Sequence, residues 1–493
     1  MIQATNRRDF IKVVATAAAG TAVVGFSANA RAWVRPGHGS PFHRAPSLDG
    51  ELVTDAASLA AVGQDLGTIV FTTPSAVLRP ASVRDVVEMV RFCGRHCIKV
   101  AARGQGHATD GQAQVDAGLV IDMRTLNEVI EIRPGYALVE AGSTWRNLIE
   151  HTLPVGQTPP VLNGFMGLSI GGTLSMGGIG GMAYKRGLQV DNVLELTVVT
   201  GRGRLEVCSR TRNRALFDSV LGGIGQYAVI VRAKLKLVPA KAKALDWTIR
   251  YDDYATFIAD MRTLVAREEL DMIYGGIKFD PATSVPFYEI YTTQFYDEPS
   301  TPNMTYLHRG LGYAAPNVTP ADGTYYDFQI RVDNGIAFLQ SIGVFDGFMH
   351  PWFDVFLPNR SLDAYVNDII GGLAPDDVGT FGFVLLFPLK RSTARQPLSR
   401  LPDDDLVFLF DITTAANFPG FEPTYAAAKR ARNRLWYDQA RAVGGTRYPI
   451  GTLTFDRDDW RRHYGPEWLR VNISKTFFDP DHLLTPGPGV FEP

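Results

Sequence analysis

Apolar and polar positions along the chain switch repeatedly between two periods. SVRDVVEMVRFCGRHC (82–97) places apolar residues three and four apart, which predicts a helix with Cys93 and Cys97 on its apolar face. IKVAAR (98–103), GLVIDM (118–123) and YALVEAG (136–142) are short β-branched runs and predict strands, and TWRNLIEHTL (144–153) predicts a second helix. NVLELTVVT and RLEVCS flank GRG (201–203) and read as a hairpin; RALFDSVL (214–221) reads as a helix and YAVIVRAKLKLV (227–238) as a strand. Strands alternating with helices imply an α+β or α/β fold.

After Pro239 the pattern becomes aromatic. YEIYTTQFYDE, YYDFQIRV, FDGFMHPWFDVFLP, GTFGFVLLFPL and LVFLFDI predict strands of a second sheet, with helices over 253–268, 360–372 and 423–442. Most of these aromatics fill a core. A broad aromatic sheet can also wall a pocket for an apolar or planar ligand.

Composition adds bounds. The 493 residues are 45% hydrophobic and 20% charged with a formal net charge of −2, as in folded soluble proteins. No basic stripe with interleaved aromatics marks a nucleic-acid partner. NRRDFIK (6–12), the apolar run Val13 to Phe26 and SANARA describe a secretory signal, with Arg7–Arg8 resembling a twin-arginine type. The apolar run is short of the ~20 residues that span a bilayer. The expectation is export, with cleavage after Ala30 or Ala32 and no stable membrane insertion afterwards. Three cysteines make no disulfide framework, and no metal-ligand pair accompanies His96.

Glycine carries the candidate chemistry. RGQGHATDGQ (103–112), VLNGFMGLSIGGTLSMGGIGG (161–181) and LGGIGQ (221–226) are glycine-rich, and none has the spacing of a Rossmann or P-loop fingerprint. Several such loops can wrap one extended diphosphate. RGQGHATDGQ, the run from Leu168 to Gly203 and LFDSVLGGIGQYAVIVRAKL together resemble the FAD-binding domain of the vanillyl-alcohol-oxidase/p-cresol-methylhydroxylase (PCMH) superfamily, and within it the cytokinin dehydrogenases. VLLFPLKRS, LPDDDLVFLFDI, DDWRRHYGPEW and FDPDHLLTPGPGVF extend the resemblance over most of the chain.

The resemblance implies an α+β protein: a PCMH-type, two-subdomain FAD-binding domain plus an α/β substrate domain with an antiparallel sheet. It divides the chain into a signal (1–32), a lead-in (33–66), the FAD domain (67–240), the substrate domain (241–445) and a C-terminal return (446–493). It implies a covalent bond from His107 to FAD. Further FAD contacts fall on Gly104, Gln105, Gly106, Ala108, Gln112, Gly164, Ser169, Gly171, Gly172, Ser175, Ile179, Ile230, Tyr448, Thr485 and Pro488. Ala108 stands where the family has a hydroxyl, and Pro488 where it has a glutamine.

The resemblance also implies oxidation of a C–N or C–O bond in a small molecule, with oxygen or a quinone-like molecule as electron acceptor. One residue departs from it. The family's substrate-binding aspartate falls on Gly164, and 158–166 holds no Asp or Glu in any register. Asn163 is no base at neutral pH. Glu289, Asp327 and Tyr448 are weak candidates for that role. An alcohol or sugar oxidase, or a flavin-binding protein without turnover, remains open at this point.

Overall fold

The computed structural model describes residues 44–491, apart from 281 and 315–317, together with the backbone of 25–27, 32–34 and 42–43. The proposed signal (1–32) falls outside the described residues except for the backbone of 25–27 and 32.

The first lobe holds two sheets. Strands β1 (Glu51–Val53), β2 (Ala76–Arg79), β3 (Val100–Arg103) and β4 (Leu119–Asp122) form a four-stranded sheet in the order β1-β2-β4-β3, parallel except at β1. Helix α1 (Val83–His96) crosses between β2 and β3, as a parallel pair requires. Strands β5 (Val129–Arg133) and β6 (Tyr136–Glu140) are followed by helices α2 (Trp145–Thr152) and α3 (Ile170–Met176). With β7 (Val193–Thr200), β8 (Leu205–Ser209) and β9 (Ala228–Lys236) they complete an antiparallel five-stranded sheet, β8-β7-β9-β6-β5. Val86, Met89, Val90 and Phe92 of α1 share one core with Val199, Val229 and Val231, so the two sheets are welded by a common apolar layer.

The second lobe is an antiparallel sheet of eight strands. Its strands are β10 (Lys243–Tyr251), β11 (Met272–Phe279), β12 (Pro286–Tyr296), β13 (Val318–Thr324), β14 (Phe353–Pro358), β15 (Phe383–Lys390), β16 (Leu406–Thr413) and β17 (Thr446–Arg447). Their order is β13-β10-β12-β11-β15-β16-β14-β17. Helices α4 (Tyr254–Arg267), α5 (Arg331–Ser341), α6 (Asn359–Gly371) and α7 (Pro423–Ala442) accompany it. Contacts such as Phe257 with Tyr288, Tyr365 with Phe410 and Trp436 with Phe353 show that α4, α6 and α7 cover one face. The other face turns toward the first lobe.

The tail closes the fold. After helix α8 (Trp468–Phe478), Leu483–Thr485 lies along β3, exchanging backbone hydrogen bonds with Val100. Buried Lys475 donates to Asp479 and to the carbonyl of Gln226, both at 2.8 Å, and Asp479 accepts from the N–H groups of Leu483 and Leu484.

Several expectations are corrected. YYDFQIRV is helical, because Thr324 caps Asp327 N–H and opens a helical turn at Tyr325–Gln329 that runs into α5. In FDGFMHPWFDVFLP only Phe353–Pro358 is strand. Strands β10 and β11 were not anticipated. The lead-in carries a helix at Ala56–Val62. Cys93 is buried, but Cys97 is exposed at the left-handed residue that ends α1.

Candidate active site

A cavity of about 900 Å³ lies between the open face of the large sheet and the glycine loops of the first lobe. That is the upper range of small-ligand and cofactor pockets. The sheet contributes by its two-residue period: Tyr274 and Lys278 of β11, Phe383, Leu385 and Phe387 of β15, and Leu409, Asp411 and Thr413 of β16 all face the cavity. The intervening Val384, Leu386, Phe408, Phe410 and Ile412 are buried on the helical side. Helix α5 adds Val332, Ile336 and Leu339.

Of the residues singled out in the sequence, Gly104, Gln105, Gly106, His107, Ala108, Gln112, Gly164, Ser169, Gly171, Gly172, Ser175, Ile179, Ile230, Tyr448 and Thr485 line this one cavity. Pro488 does not. It lines a neighbouring cavity of about 390 Å³ with Asp110, Arg430 and Arg447, and its carbonyl accepts from Trp460 Nε1 at 3.0 Å.

Local reasons explain the placement. Strand β3 delivers the first loop, which turns at Gly106 (φ +68°). The carbonyls of Gly106 and Ala108 accept from Leu66 and Gly67 N–H, anchoring the loop from behind. Gln112 Nε2 reaches the carbonyls of Pro449, Ile450 and Gly451, so it ties this loop to the tail. Ser175 is back-bonded to the Gly171 carbonyl at 2.8 Å. Gly178 N–H donates to Tyr448 Oη at 3.2 Å, joining the glycine segment to the chain beyond β17.

The glycines of 161–181 serve two purposes. A Cβ on Gly180 would collide with the Leu162 carbonyl, and one on Gly178 with the Gln189 amide, so these positions are set by the protein's own packing. Gly164 differs: the nearest atom to a Cβ there is Val332 Cγ2, at 3.8 Å. A side chain fits at 164. Neighbouring Asn163 is locked, its amide donating to Phe165 and accepting from Gln189.

His107 is packed between Phe165 (centroids 5.0 Å apart) and Trp352 (5.3 Å, edge-on). Burial, with His350 nearby, lowers its pKa to about 3. The imidazole is therefore neutral and keeps its lone pair at any ordinary pH.

The three weak base candidates separate. Asp327 is exposed and accepts from Thr324 Oγ1 at 2.7 Å. Glu289 is clamped by Lys278 Nζ at 2.7 Å and by the Tyr291 hydroxyl, and does not reach the wall. Tyr448 does reach it, but burial holds its phenol well above the ordinary range. Sequence reading passed over Arg103, Trp352 and Asp411, all on the wall. Arg103 Nη1, Trp352 Nε1 and Asp411 Oδ1 are buried polar atoms without a hydrogen-bond partner among the described residues. The available signal was a single acid inside an otherwise apolar strand, LVFLFDI, repeated in WFDVFLP.

Comparison with known proteins decides the family. Residues 74–209 match the model of an FAD binding domain, and 281–491 match the model described as "Cytokinin dehydrogenase 1, FAD and cytokinin binding". An uncharacterized oxidoreductase, ORF5 in the fasciation locus of Rhodococcoides fascians, is 34% identical across 88% of this chain and 97% of that one. The chain belongs to the cytokinin dehydrogenase family. Cytokinin dehydrogenase 3 of Oryza sativa subsp. japonica is 32% identical over 87% of this chain and 88% of its own. Cytokinin dehydrogenase 4 of Arabidopsis thaliana is 30% identical over 90% and 93%. The crystal structure of 6-hydroxy-D-nicotine oxidase from Arthrobacter nicotinovorans shares the fold, with a TM-score of 0.68 and 21% identity over 89% of this chain and 97% of that one.

As a member of this family the protein is an FAD-dependent oxidoreductase acting on a small molecule. The residues present fit FAD. The cavity is large enough, Gly104, Gly106, Gly171 and Gly172 line its wall, and Arg103 Nη1, without a hydrogen-bond partner among the described residues, suits a diphosphate. No helix among the described residues is long and apolar enough to cross a membrane.

Proposed function

We propose that the protein is an exported oxidoreductase that carries FAD covalently on His107 and oxidises a C–N or C–O bond in a small, largely apolar molecule. One observation carries this: a single cavity is walled on one side by the glycine loops and neutral His107, and on the other by Tyr274, Phe383, Leu385 and Phe387. Bound FAD would supply an acceptor for hydride from the donor's carbon. His107 has the free nucleophilic nitrogen that attachment to the flavin's 8α carbon requires, and Trp352 and Phe165 fix its ring.

The chain's own residues do the rest. Arg103 and the loops 104–108 and 171–175 hold the cofactor, with Ser169, Ile179, Ile230, Tyr448 and Thr485 beside them. Gln112 and the Tyr448–Gly178 bond keep those loops in register with the sheet. The aromatic wall excludes water and orients a flat or apolar donor. That wall offers few hydrogen-bonding groups to a polyhydroxylated sugar, which favours amines and apolar alcohols as donors. The twin-arginine-type leader agrees with an exported protein, and oxygen or a quinone-like molecule would take the electrons onward.

The test is anaerobic mixing of the purified holoprotein with a panel of N-alkylamines, alcohols and sugars. Loss of the oxidised flavin's visible absorbance with an amine or apolar alcohol is expected. A flavin that no donor bleaches would instead indicate a binding protein without turnover.

A further inference from the structure

The reaction proposed above leaves a proton without an acceptor, because the position where relatives carry their acid is Gly164. Among the described residues, one pair of side chains answers this need. Strands β14 and β16 are antiparallel neighbours, and their register sets Asp354 directly opposite Asp411. Residues paired across a ladder project to the same face. For Asp411 that face is the cavity, between Leu409 and Thr413. Asp354 lies behind it, with its Oδ2 2.5 Å from where a Cβ on Gly451 would stand, so only glycine leaves it space. The two residues are 3% and 8% exposed.

Among the described residues, no direct ion pair neutralises either carboxyl. Asp354 Oδ1 and Oδ2 and Asp411 Oδ1 are buried and make no hydrogen bond to the rest of the protein. Arg447 of β17 is the cation acting on Asp354, and its Nε is likewise unpartnered; Tyr448 is the other titratable neighbour. Two adjacent buried carboxyls cannot both ionise, so they share one proton. Burial raises Asp411 to about 7 and drives Asp354 well above its ordinary value. Such a dyad is singly charged at neutral pH and can take up one more proton.

We infer that Asp411, on the cavity wall, accepts the N–H or O–H proton of the donor, and that Asp354 is the positioning residue that holds the shared proton behind it. For an amine donor, the C–H hydrogen leaves with both bonding electrons to FAD and the N–H proton goes to Asp411. The nitrogen pair left behind forms the second bond of the imine. Bound FAD would supply the two-electron acceptor, with the oxygen or quinone-like molecule as its oxidant, and Asp411 returns its proton to solvent. The carboxylate thus enters from the substrate sheet instead of the glycine segment. This inference rests on the oxidoreductase reading.

The test uses holoenzyme of wild type, Asp411→Asn and Asp354→Asn, with folding checked by flavin content. With a donor that bleaches wild type, Asp411→Asn should slow flavin reduction by roughly 10²–10⁴-fold and abolish the acidic limb of its pH profile. Asp354→Asn should keep the limb but shift it to higher pH, because the protonated Asp354 carboxyl, whose hydrogen bond favours the Asp411 carboxylate, is replaced by a weaker donor. A second readout needs no donor: infrared difference spectra between acid and alkaline pH should show a protonated carboxyl band in wild type that Asp411→Asn removes. Unchanged reduction rate and pH limb in Asp411→Asn, or no such band in wild type, would overturn the assignment. A wild-type flavin that no donor reduces would overturn both readings, whereas a reactive wild type with an equally reactive Asp411→Asn overturns this one alone.

Discussion

His107 and Trp352 meet edge-to-face with ring centroids 5.3 Å apart, one from the first glycine loop and the other just before strand β14. The contact joins the residue proposed to carry the flavin to the sheet proposed to carry the substrate. Removing the imidazole should leave flavin binding to the loops while ending attachment. His107→Ala is expected to purify yellow but release its flavin into the supernatant on acid precipitation, where wild type yields a yellow pellet.

Gly164 and Gly180 make a paired test of the glycine segment. Gly164 faces open space, so Gly164→Asp should fold with a change within about 0.5 kcal/mol. Gly180→Ala pushes a methyl into the Leu162 carbonyl and should cost roughly 1–3 kcal/mol. Thermal unfolding of the two variants beside wild type measures the difference. Similar losses in both would contradict the assignment of Gly180 to packing and Gly164 to the cavity.

The buried dyad has a signature in stability against pH. Asp411 titrates near 7 when folded and near 4 when unfolded. Between those values the folded chain holds a proton that the unfolded chain has released, so stability falls as pH rises through this window. Below the unfolded value neither carboxyl costs anything through ionisation, and above about 7 the share of Asp411 in the loss is complete. Asp411→Asn should remove that slope and stabilise the protein at pH 8 by on the order of 2 kcal/mol. Denaturant midpoints of the variant and wild type across pH 4 to 8 check it.

Lys475 and Asp479 hold the tail to the first lobe. Lys475→Ala leaves the fully buried Asp479 carboxylate without its cation, which typically costs about 3–5 kcal/mol. Because Leu483–Thr485 pairs with Val100 beside the flavin loop, flavin retention should fall with stability. Flavin content after gel filtration reports the coupling.

Much of the fold was legible because its signals are local. The period of α1, the β-branched runs of β3, β4, β6, β7 and β9, and the glycine clusters each read from a few adjacent residues. What failed was set by neighbours far along the chain. YYDFQIRV has strand composition, yet the Thr324 cap makes it helical. β11, with two glycines and a lysine, is a strand because β12 and β15 pair with it on both sides. At the site, the residues that the family resemblance singled out around His107 line one cavity, apart from Pro488. Asp411 was not legible as a wall residue because its role depends on cross-strand register with Asp354 and on which face of the sheet meets the cavity. Glu289 stood among the candidates because its clamp by Lys278 comes from the neighbouring strand and leaves no local signal.

The most direct test is anaerobic stopped-flow reduction of the FAD-loaded protein by a panel of N-alkylamines and apolar alcohols. At least one of these donors should bleach the flavin in a single turnover and leave as imine or carbonyl. Full retention of the oxidised spectrum with every donor would contradict it.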